Sequence, residues 1–427
     1  MRCLGIGVTF MVVMFTAAPP APGQPPPQDR PAVSVTLSQA IQQALVRNRD
    51  LGVSRREIDV SRGKLTQARR YPFNPELAIE GDGGRGVGRE VPERRGIGGG
   101  KIGLSQVIEI RGQRGWRTRG AEADVARAEW ATREAERNVV AEVTRTFSDL
   151  ALAQERVVLA REALGLATGL RDTAKTLVDA GDVAELDLLR AEVEVRRAMN
   201  RVTLEESAAA TAIRTLALLM GAPADVNLRA TGPLLLDPVP GTLDELLALA
   251  RASRPDLKAA EAALESARAA LRLVVAERFV PAVTLSASYG EGLDFDARTR
   301  LALFGISIPL PLWNRREGDV RAAEAEVAKQ EAERERIVAR IEKEVATALR
   351  QFAAAQRIVE EYVRQIVPAQ ERNTRLVQEG YQLGQLRLTE ALLAQRDFIE
   401  TRTAYLDAIA GYNAARVEIQ KAAAVQP

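Results

Sequence analysis

The chain is written twice. At an offset of 206 residues Thr36-Leu37 recurs as Thr242-Leu243, Ala44 as Ala250, Asp50-Leu51 as Asp256-Leu257, Arg62 as Arg268, Leu65 as Leu271 and Pro75 as Pro281. Beyond a Gly-rich stretch the offset becomes 202. Gly103 then recurs as Gly305, Ser105 as Ser307, Ala121-Glu122-Ala123 as Ala323-Glu324-Ala325, Glu142-Val143 as Glu344-Val345 and Ala153-Gln154 as Ala355-Gln356. Solenoid units run to roughly 20–50 residues, so a repeat this long is a duplicated half-molecule. Any architecture proposed for the chain has to be buildable by halves.

Each half pairs short alternating segments with very long helical ones. Leu77 and Ile79 alternate with Glu76, Ala78 and Glu80, and Ile102, Leu104, Ile108 and Ile110 share a face broken only by Gln106. In the second half Val283, Leu285, Ala287 and Tyr289 alternate with Thr284, Ser286 and Ser288, and Phe304, Ile306, Ile308, Leu310 and Leu312 with Gly305, Ser307, Pro309 and Pro311. Alternation of apolar with small polar residues over about 10 positions suits a transmembrane barrel strand. It suits a half-buried strand of a soluble sheet equally, and alternation alone does not separate the two. The predicted strands are 75–82, 101–110, 281–290 and 301–312, with the change of offset falling in the hairpin loops between them.

Thr36 is the expected N-cap of a first helix, Asp50 that of a second ending before Pro72, and Gln113 to Val178 contains no proline. Val143, Phe147, Leu150, Gln154, Val157, Arg161 and Leu164 form a heptad seam, matched by Val345, Leu349, Phe352, Gln356, Val359, Val363 and Ile366. Pro368 interrupts only the second copy, where a kink is expected. Each long helix ends at a Gly-containing turn, at Gly181 and at Gly380 and Gly384, and a returning helix follows (186–220 and 387–423), making antiparallel hairpins.

Composition narrows the chemistry. Of 427 residues none is histidine and one is cysteine, Cys3, which precedes an apolar run from Leu4 to Ala18. That run, with Arg2 before it and Pro-rich sequence after it, is organised as a secretory signal. Without Cys3, thiol, disulfide and His-based chemistry are excluded and only carboxylates could hold a metal. The 59 basic and 57 acidic residues interleave, which suits solvated helix faces rather than a nucleic-acid footprint. Gly81-Asp82-Gly83-Gly84-Arg85-Gly86 matches a dinucleotide fingerprint in letters but opens no helix. No catalytic, cofactor-binding or metal site is expected, and no enzyme. The predicted organisation is a signal peptide over 1–23, a Pro-rich leader over 24–35, a first repeat over 36–221, a linker over 222–241 and a second repeat over 242–424.

Four strands cannot close a barrel, since single-chain barrels begin at about eight. Lipid tolerates no open sheet edge, because unpaired N–H and C=O groups there have no water to bond. If these strands lie in a membrane, several chains must pool them.

At this point the chain resembles the TolC-type outer-membrane efflux family. The resemblance is carried by the TLSQAIQQAL opening and its TLDELLALA repeat, Asn74-Pro75-Glu76-Leu77, Ser105-Gln106 running into Gly112-Gln113-Arg114, Ile308-Pro309-Leu310-Pro311-Leu312, and Asp187-Leu188-Leu189 after the first helix turn. Asn-Pro-Glu-Leu and the Ser-Gln segment are similar to the CzcC-like branch, associated with heavy-metal efflux. The resemblance implies a mainly α fold with a small β part: long antiparallel helical hairpins and four transmembrane strands per chain, three chains sharing a 12-stranded β-barrel continued by an α-helical barrel. It implies a passive duct in the outer membrane with a large periplasmic portion, no cofactor, and partners in a homotrimer, a periplasmic adaptor, an inner-membrane pump and outer-membrane lipid. The hairpin tips would be the periplasmic entrance, with Asp179, Gly181, Asp182, Glu185 and Asp187 in the first and Glu379, Gly380, Gly384 and Glu390 in the second. The acids are candidates for a cation-favouring ring and the glycines for turn geometry. The alternative is a secreted coiled-coil tethering protein without a pore, which does not explain strands placed symmetrically in both halves.

Overall fold

The structure is a computed structural model that describes residues 33–85, 96–181, 183–223, 225–238, 241–279, 282–294, 297–383 and 385–425. The expected signal peptide lies outside the described residues, as do Asp182 and Gly384 at the helix turns. Along the chain, β1 (Val33–Val35), α1 (Leu37–Arg47) and α2 (Arg49–Arg69) lead to the strands β2 (Glu76–Arg85) and β3 (Gly96–Glu109), then to α3 (Gln113–Asp179) and α4 (Glu185–Leu219). β4 (Leu228–Ala230) follows. Short helices, strands and long helices then come again as α5 (Leu243–Ser253), α6 (Pro255–Glu277), β5 (Ala282–Asp294), β6 (Ala297–Ser307), α7 (Glu317–Glu361), α8 (Val367–Gln382) and α9 (Leu388–Ala423).

Local chemistry explains most boundaries. Thr36 and Thr242 each accept a hydrogen bond from the backbone three residues on, while Gln39 and Glu245 reach back to the cap N–H, so α1 and α5 open on matching capping boxes. The cap of α2 is Asn48 rather than Asp50: its side-chain oxygen accepts from the N–H groups of Asp50 and Leu51. β6 stops at Ser307 because Pro309 and Pro311 bring no N–H to a ladder. Pro368 falls in the first turn of α8. A π-helical turn over Tyr362–Ile366 precedes it, relieving the clash its ring would make one turn back.

With 67 residues α3 is about 100 Å long. Its seam begins as the heptads predict, with Val143, Phe147 and Leu150 buried, but then slips by one position. Ala153, Ala160, Ala163, Ala167, Leu170 and Ala174 carry it onward in place of Gln154, Val157 and Arg161. Alanine lets the neighbouring helix approach closely, and a seam of alanines is invisible to a search for large apolar residues. In α7 the seam ends at Val359, and Val363 is half exposed beyond the change to π geometry.

Two apolar cores sit where the short helices meet the long ones, one around Leu51, Val143, Leu150 and Leu216, the other around Leu257, Ile341, Val345 and Ile419. The linker is clipped between them. The buried Asn413 amide donates to Leu234 O (2.8 Å) and accepts from Leu236 N (3.1 Å), and Arg416 donates to Asp237 O (3.1 Å). β1 and β4 pair in parallel beside it.

Candidate functional site

β2, β3, β5 and β6 form one antiparallel sheet in that order, with β2 and β6 at its edges. The register puts Ile79, Ile102 and Tyr289 in one row, Leu77, Leu104, Ala287 and Phe304 in the next, and Leu285 beside Ile306, all on one face. These side chains are open to the surroundings, Ile79 by 76%, Phe304 by 85% and Ile306 by 71%. A contiguous exposed apolar face of this size has a non-aqueous partner. It is bounded at one end by the Glu291–Arg300 ion pair (2.6 Å), and Trp313 stands fully exposed beyond the other.

The opposite face carries Ala78, Gly103, Ser105, Ser286, Ser288, Gly305 and the Glu80–Lys101 pair (3.5 Å), interrupted by Leu301 and Leu303 on the edge strand β6. Glycines on this face sit close to the neighbouring strands. A Cβ on Gly290 would lie 2.8 Å from Gly100 O, one on Gly305 2.7 Å from Ser286 Oγ, and one on Gly103 3.2 Å from Ser288 Cβ. On the apolar face Gly100 meets nothing within 4 Å. Larger side chains at Gly290 and Gly305 would therefore meet their cross-strand neighbours on this face.

The passage from sheet to helices is stiff. Tyr71 donates from its hydroxyl to Val107 O (2.8 Å) and accepts from Glu109 N (2.7 Å), and Gln106 donates to Phe73 O (3.0 Å). Arg117 grips Glu109 through two bonds of 3.0 Å, Arg114 donates to Arg69 O, and Arg119 stacks on Trp116. The arginine cluster after β3 is therefore largely spent on holding this joint.

At the far end both hairpin tips share one apolar cluster, Leu170, Ala174 and Ala191 from the first with Tyr381, Leu388 and Ala391 from the second. Asp179 ends α3 and Glu185 begins α4, both exposed, and Glu379 is exposed near the end of α8. Asp187 is half-buried and accepts from Arg190 (3.3 Å). Glu390 is a cap: its carboxylate accepts from Arg387 N (2.8 Å), closing the start of α9. Gly181 has φ +82 and makes the turn after α3. Gly380 is needed for room, since a Cβ there would lie 2.7 Å from Leu386 Cδ1, while its carbonyl accepts from Gln385 N (2.8 Å). Tyr381 is the residue that motif reading passed over. Burial, and then the nearby Asp187 carboxylate, push its phenol pKa up, and its hydroxyl has no hydrogen-bond partner among the described residues. An aromatic one residue past Gly380, at the end of α8, was the available signal.

Among the described residues no three or more His, Cys, Asp or Glu side chains gather as a metal site, and no helix is long and apolar enough to cross a membrane. What could enter a membrane is the sheet. A sheet with one exposed apolar face and a largely small and polar face behind it, continued by helical hairpins of about 100 Å, suits the wall of a channel. The outer membrane efflux protein family matches residues 40–222 and 246–425, and the chain belongs to it: it is an outer-membrane efflux channel with a large periplasmic part. The cobalt-zinc-cadmium resistance protein CzcC of Cupriavidus metallidurans is 27% identical over 409 residues, 94% of each chain. The probable efflux pump outer membrane protein TtgC of Pseudomonas putida is 26% identical over 87% of this chain and 79% of its own. In fold, the outer-membrane channel OprN (23% identical) and CusC (21% identical) superpose with a TM-score of 0.75 over 91% of this chain, covering 89% and 91% of theirs.

Proposed function

We propose that three copies pool their sheets into a 12-stranded barrel, continued by their hairpins as a helical tunnel, and that this duct passes divalent heavy-metal cations outward. The observation that carries the reading is the sheet with both edges open, an exposed apolar face on one side and mostly small and polar residues on the other. Each half of the chain then supplies one strand pair and one helical hairpin, which gives the duplication its physical reason. The duct itself is passive. An inner-membrane pump supplies the energy, and a periplasmic adaptor docks where the two hairpin tips pack together. Asp179, Glu185 and Glu379, exposed at those tips, form the acidic entrance, while Asp187 and Glu390 are engaged in local structure. Carboxylates without His or Cys suit a cation in transit, since they attract it without soft ligands that would retain it.

In planar bilayers the purified protein is expected to form trimeric pores that prefer cations. Exchanging Asp179→Asn, Glu185→Gln and Glu379→Gln together lowers the cation-to-anion permeability ratio several-fold at low salt, where screening is weak. A chain that gives no conductance would return the tethering protein to first place. A deletion strain sensitised to cobalt, zinc or cadmium but not to antibiotics supports the metal substrate, and the reverse pattern overturns it.

A further inference from the structure

The apolar face of the sheet ends in a depression. Beyond the row of Ile79, Ile102 and Tyr289, the register sets Gly81, Gly100, Glu291 and Arg300 side by side. Two of these four residues have no side chain, and a Cβ on Gly100 would meet nothing within 4 Å. An open space of about 470 Å³ results, with Gly100 as its floor, Ile79, Ile102 and Tyr289 along one side and Glu291 and Arg300 along the other. Ile102 and Tyr289 are each about half exposed, so the walls are apolar side chains already turned outward.

Its height in the membrane follows from the strands. The helices α2, α3, α6 and α7 all join the sheet at the opposite end, so in an outer-membrane protein with a large periplasmic part the depression faces the outer leaflet. From Ile110, just past the end of β3, to Gly100 the chain advances ten residues. That is about 34 Å along a strand and, at a tilt of about 40°, about 26 Å of height, against about 25 Å for the apolar band of a membrane barrel. The depression therefore lies where acyl chains give way to headgroups. Its cation is held for use there. Arg300 donates from Nε to Glu291 Oε1 (2.6 Å), and its two amino nitrogens have no partner among the described residues. Its side chain is 70% exposed. A guanidinium held through Nε alone keeps donors free for a phosphate, which suits its fork.

The geometry points to a binding site for one phosphorylated glycolipid of the outer leaflet, of the lipid A type, with an acyl chain laid over Gly100 against Ile102 and Tyr289 and a phosphate on the amino groups of Arg300. Three observations select this occupant. The depression is continuous with the apolar face, its floor is open where the rows below it are filled by side chains, and its unpaired cationic donors stand at headgroup height. A soluble anion has no use for the apolar walls, and a lipid without a phosphate leaves Arg300 unanswered. Glu291 is a positioning residue, acting only through Arg300. The site lies within one chain, so it rests on the sheet standing in the outer membrane and not on the number of copies or on the cargo.

The test titrates the full-length protein, purified and delipidated in detergent, with lipid A and separately with phosphatidylglycerol, reading bound lipid by native mass spectrometry. Arg300→Gln and Gly100→Leu are each expected to weaken lipid A binding about ten-fold, the first by removing charge-assisted hydrogen bonds and the second by filling the floor. The open space over Gly100 lets the leucine enter without disturbing the sheet. Arg111→Gln, an exposed cation at the helix end of the sheet, is expected to leave lipid A binding unchanged. Wild-type affinity in both site variants overturns the site. So does an equal loss in Arg111→Gln, which would assign the binding to general charge, or phosphatidylglycerol binding as tightly as lipid A. Flotation with phosphatidylethanolamine vesicles separates the two levels of the argument. A chain that floats yet retains no lipid A overturns the site alone, and a chain that does not float overturns the membrane placement of the sheet and the site with it.

Discussion

Replacing Gly221 with alanine is expected to cost about 3 kcal/mol of stability, because two penalties meet at one atom. Gly221 has φ +63 and closes α4, its N–H donating to Leu218 O (3.0 Å) and the next N–H to Ala217 O (2.8 Å). That left-handed conformation alone costs a non-glycine residue roughly 1–2 kcal/mol. An added Cβ would also lie 2.6 Å from Arg47 O and 2.9 Å from Arg47 Cβ, where α1 ends. Backbone cannot swing aside as a side chain can, so α1 and α4 must separate at the edge of the first core. Gly181 is the comparator: φ is +82 but nothing lies within 4 Å of its Cβ position, so Gly181→Ala should cost about 1 kcal/mol. Denaturant midpoints of the two variants, measured on the detergent-solubilised protein, separate the contributions. Equal shifts would mean that the approach to Arg47 relaxes freely.

The contrast between these glycines marks what the sequence could convey. Signals complete within a few residues were legible: the capping boxes at Thr36 and Thr242, the period of two in the strands, and the proline-free run that became α3. The turn at Gly181 belongs with them. What depended on distant partners was not. Nothing near Gly221 announces Arg47, 174 positions earlier. Asp50 looked like the cap of α2, but Asn48 took the place because its amide also reaches Leu219 O (3.1 Å), a carbonyl supplied by the end of α4. The seam of α3 slipped onto alanines because its neighbours approach closely, and Gln154, free to leave the seam, donates to Leu228 O instead. Pro368 was a legible irregularity, but the π-helical turn over Tyr362–Ile366 that accompanies it has no local signal of its own. At the tips, acids were legible as a group but not by role. Glu390 caps α9 from a position chosen by the turn preceding it, and Tyr381 gains its interest only from the other hairpin.

The second large effect is expected at Arg254, the counterpart of Asn48. Where asparagine both caps α2 and reaches a carbonyl, the second half divides the task. Asp256 accepts from Leu257 N (2.9 Å), and Arg254, its side chain 3% exposed, donates to Ala422 O (3.2 Å). The guanidinium also binds Asp256 at 2.7 Å and Glu344 at 2.6 Å, and Arg340 reaches Asp256 from α7 at 2.9 Å. Arg254→Met keeps much of the packing but leaves Asp256 and the Ala422 carbonyl without this donor, and breaking a buried pair costs about 3–5 kcal/mol. Adding Asp256→Asn, which retains the capping oxygen, should recover a large part of that loss. The pH dependence follows from the carboxyl. Burial alone would raise the Asp256 pKa, but the hydrogen bonds and charge of Arg254, with Arg137 and Arg340, outweigh it and hold the group below its ordinary 3.8. A depressed acid contributes stability that is present above its unfolded pKa and lost as pH falls through the folded value. The gap between wild type and Arg254→Met is therefore widest near neutrality and narrows as pH falls below about 4. A gap unchanged at pH 3 would assign the cost to packing of the arginine stem and not to its charge.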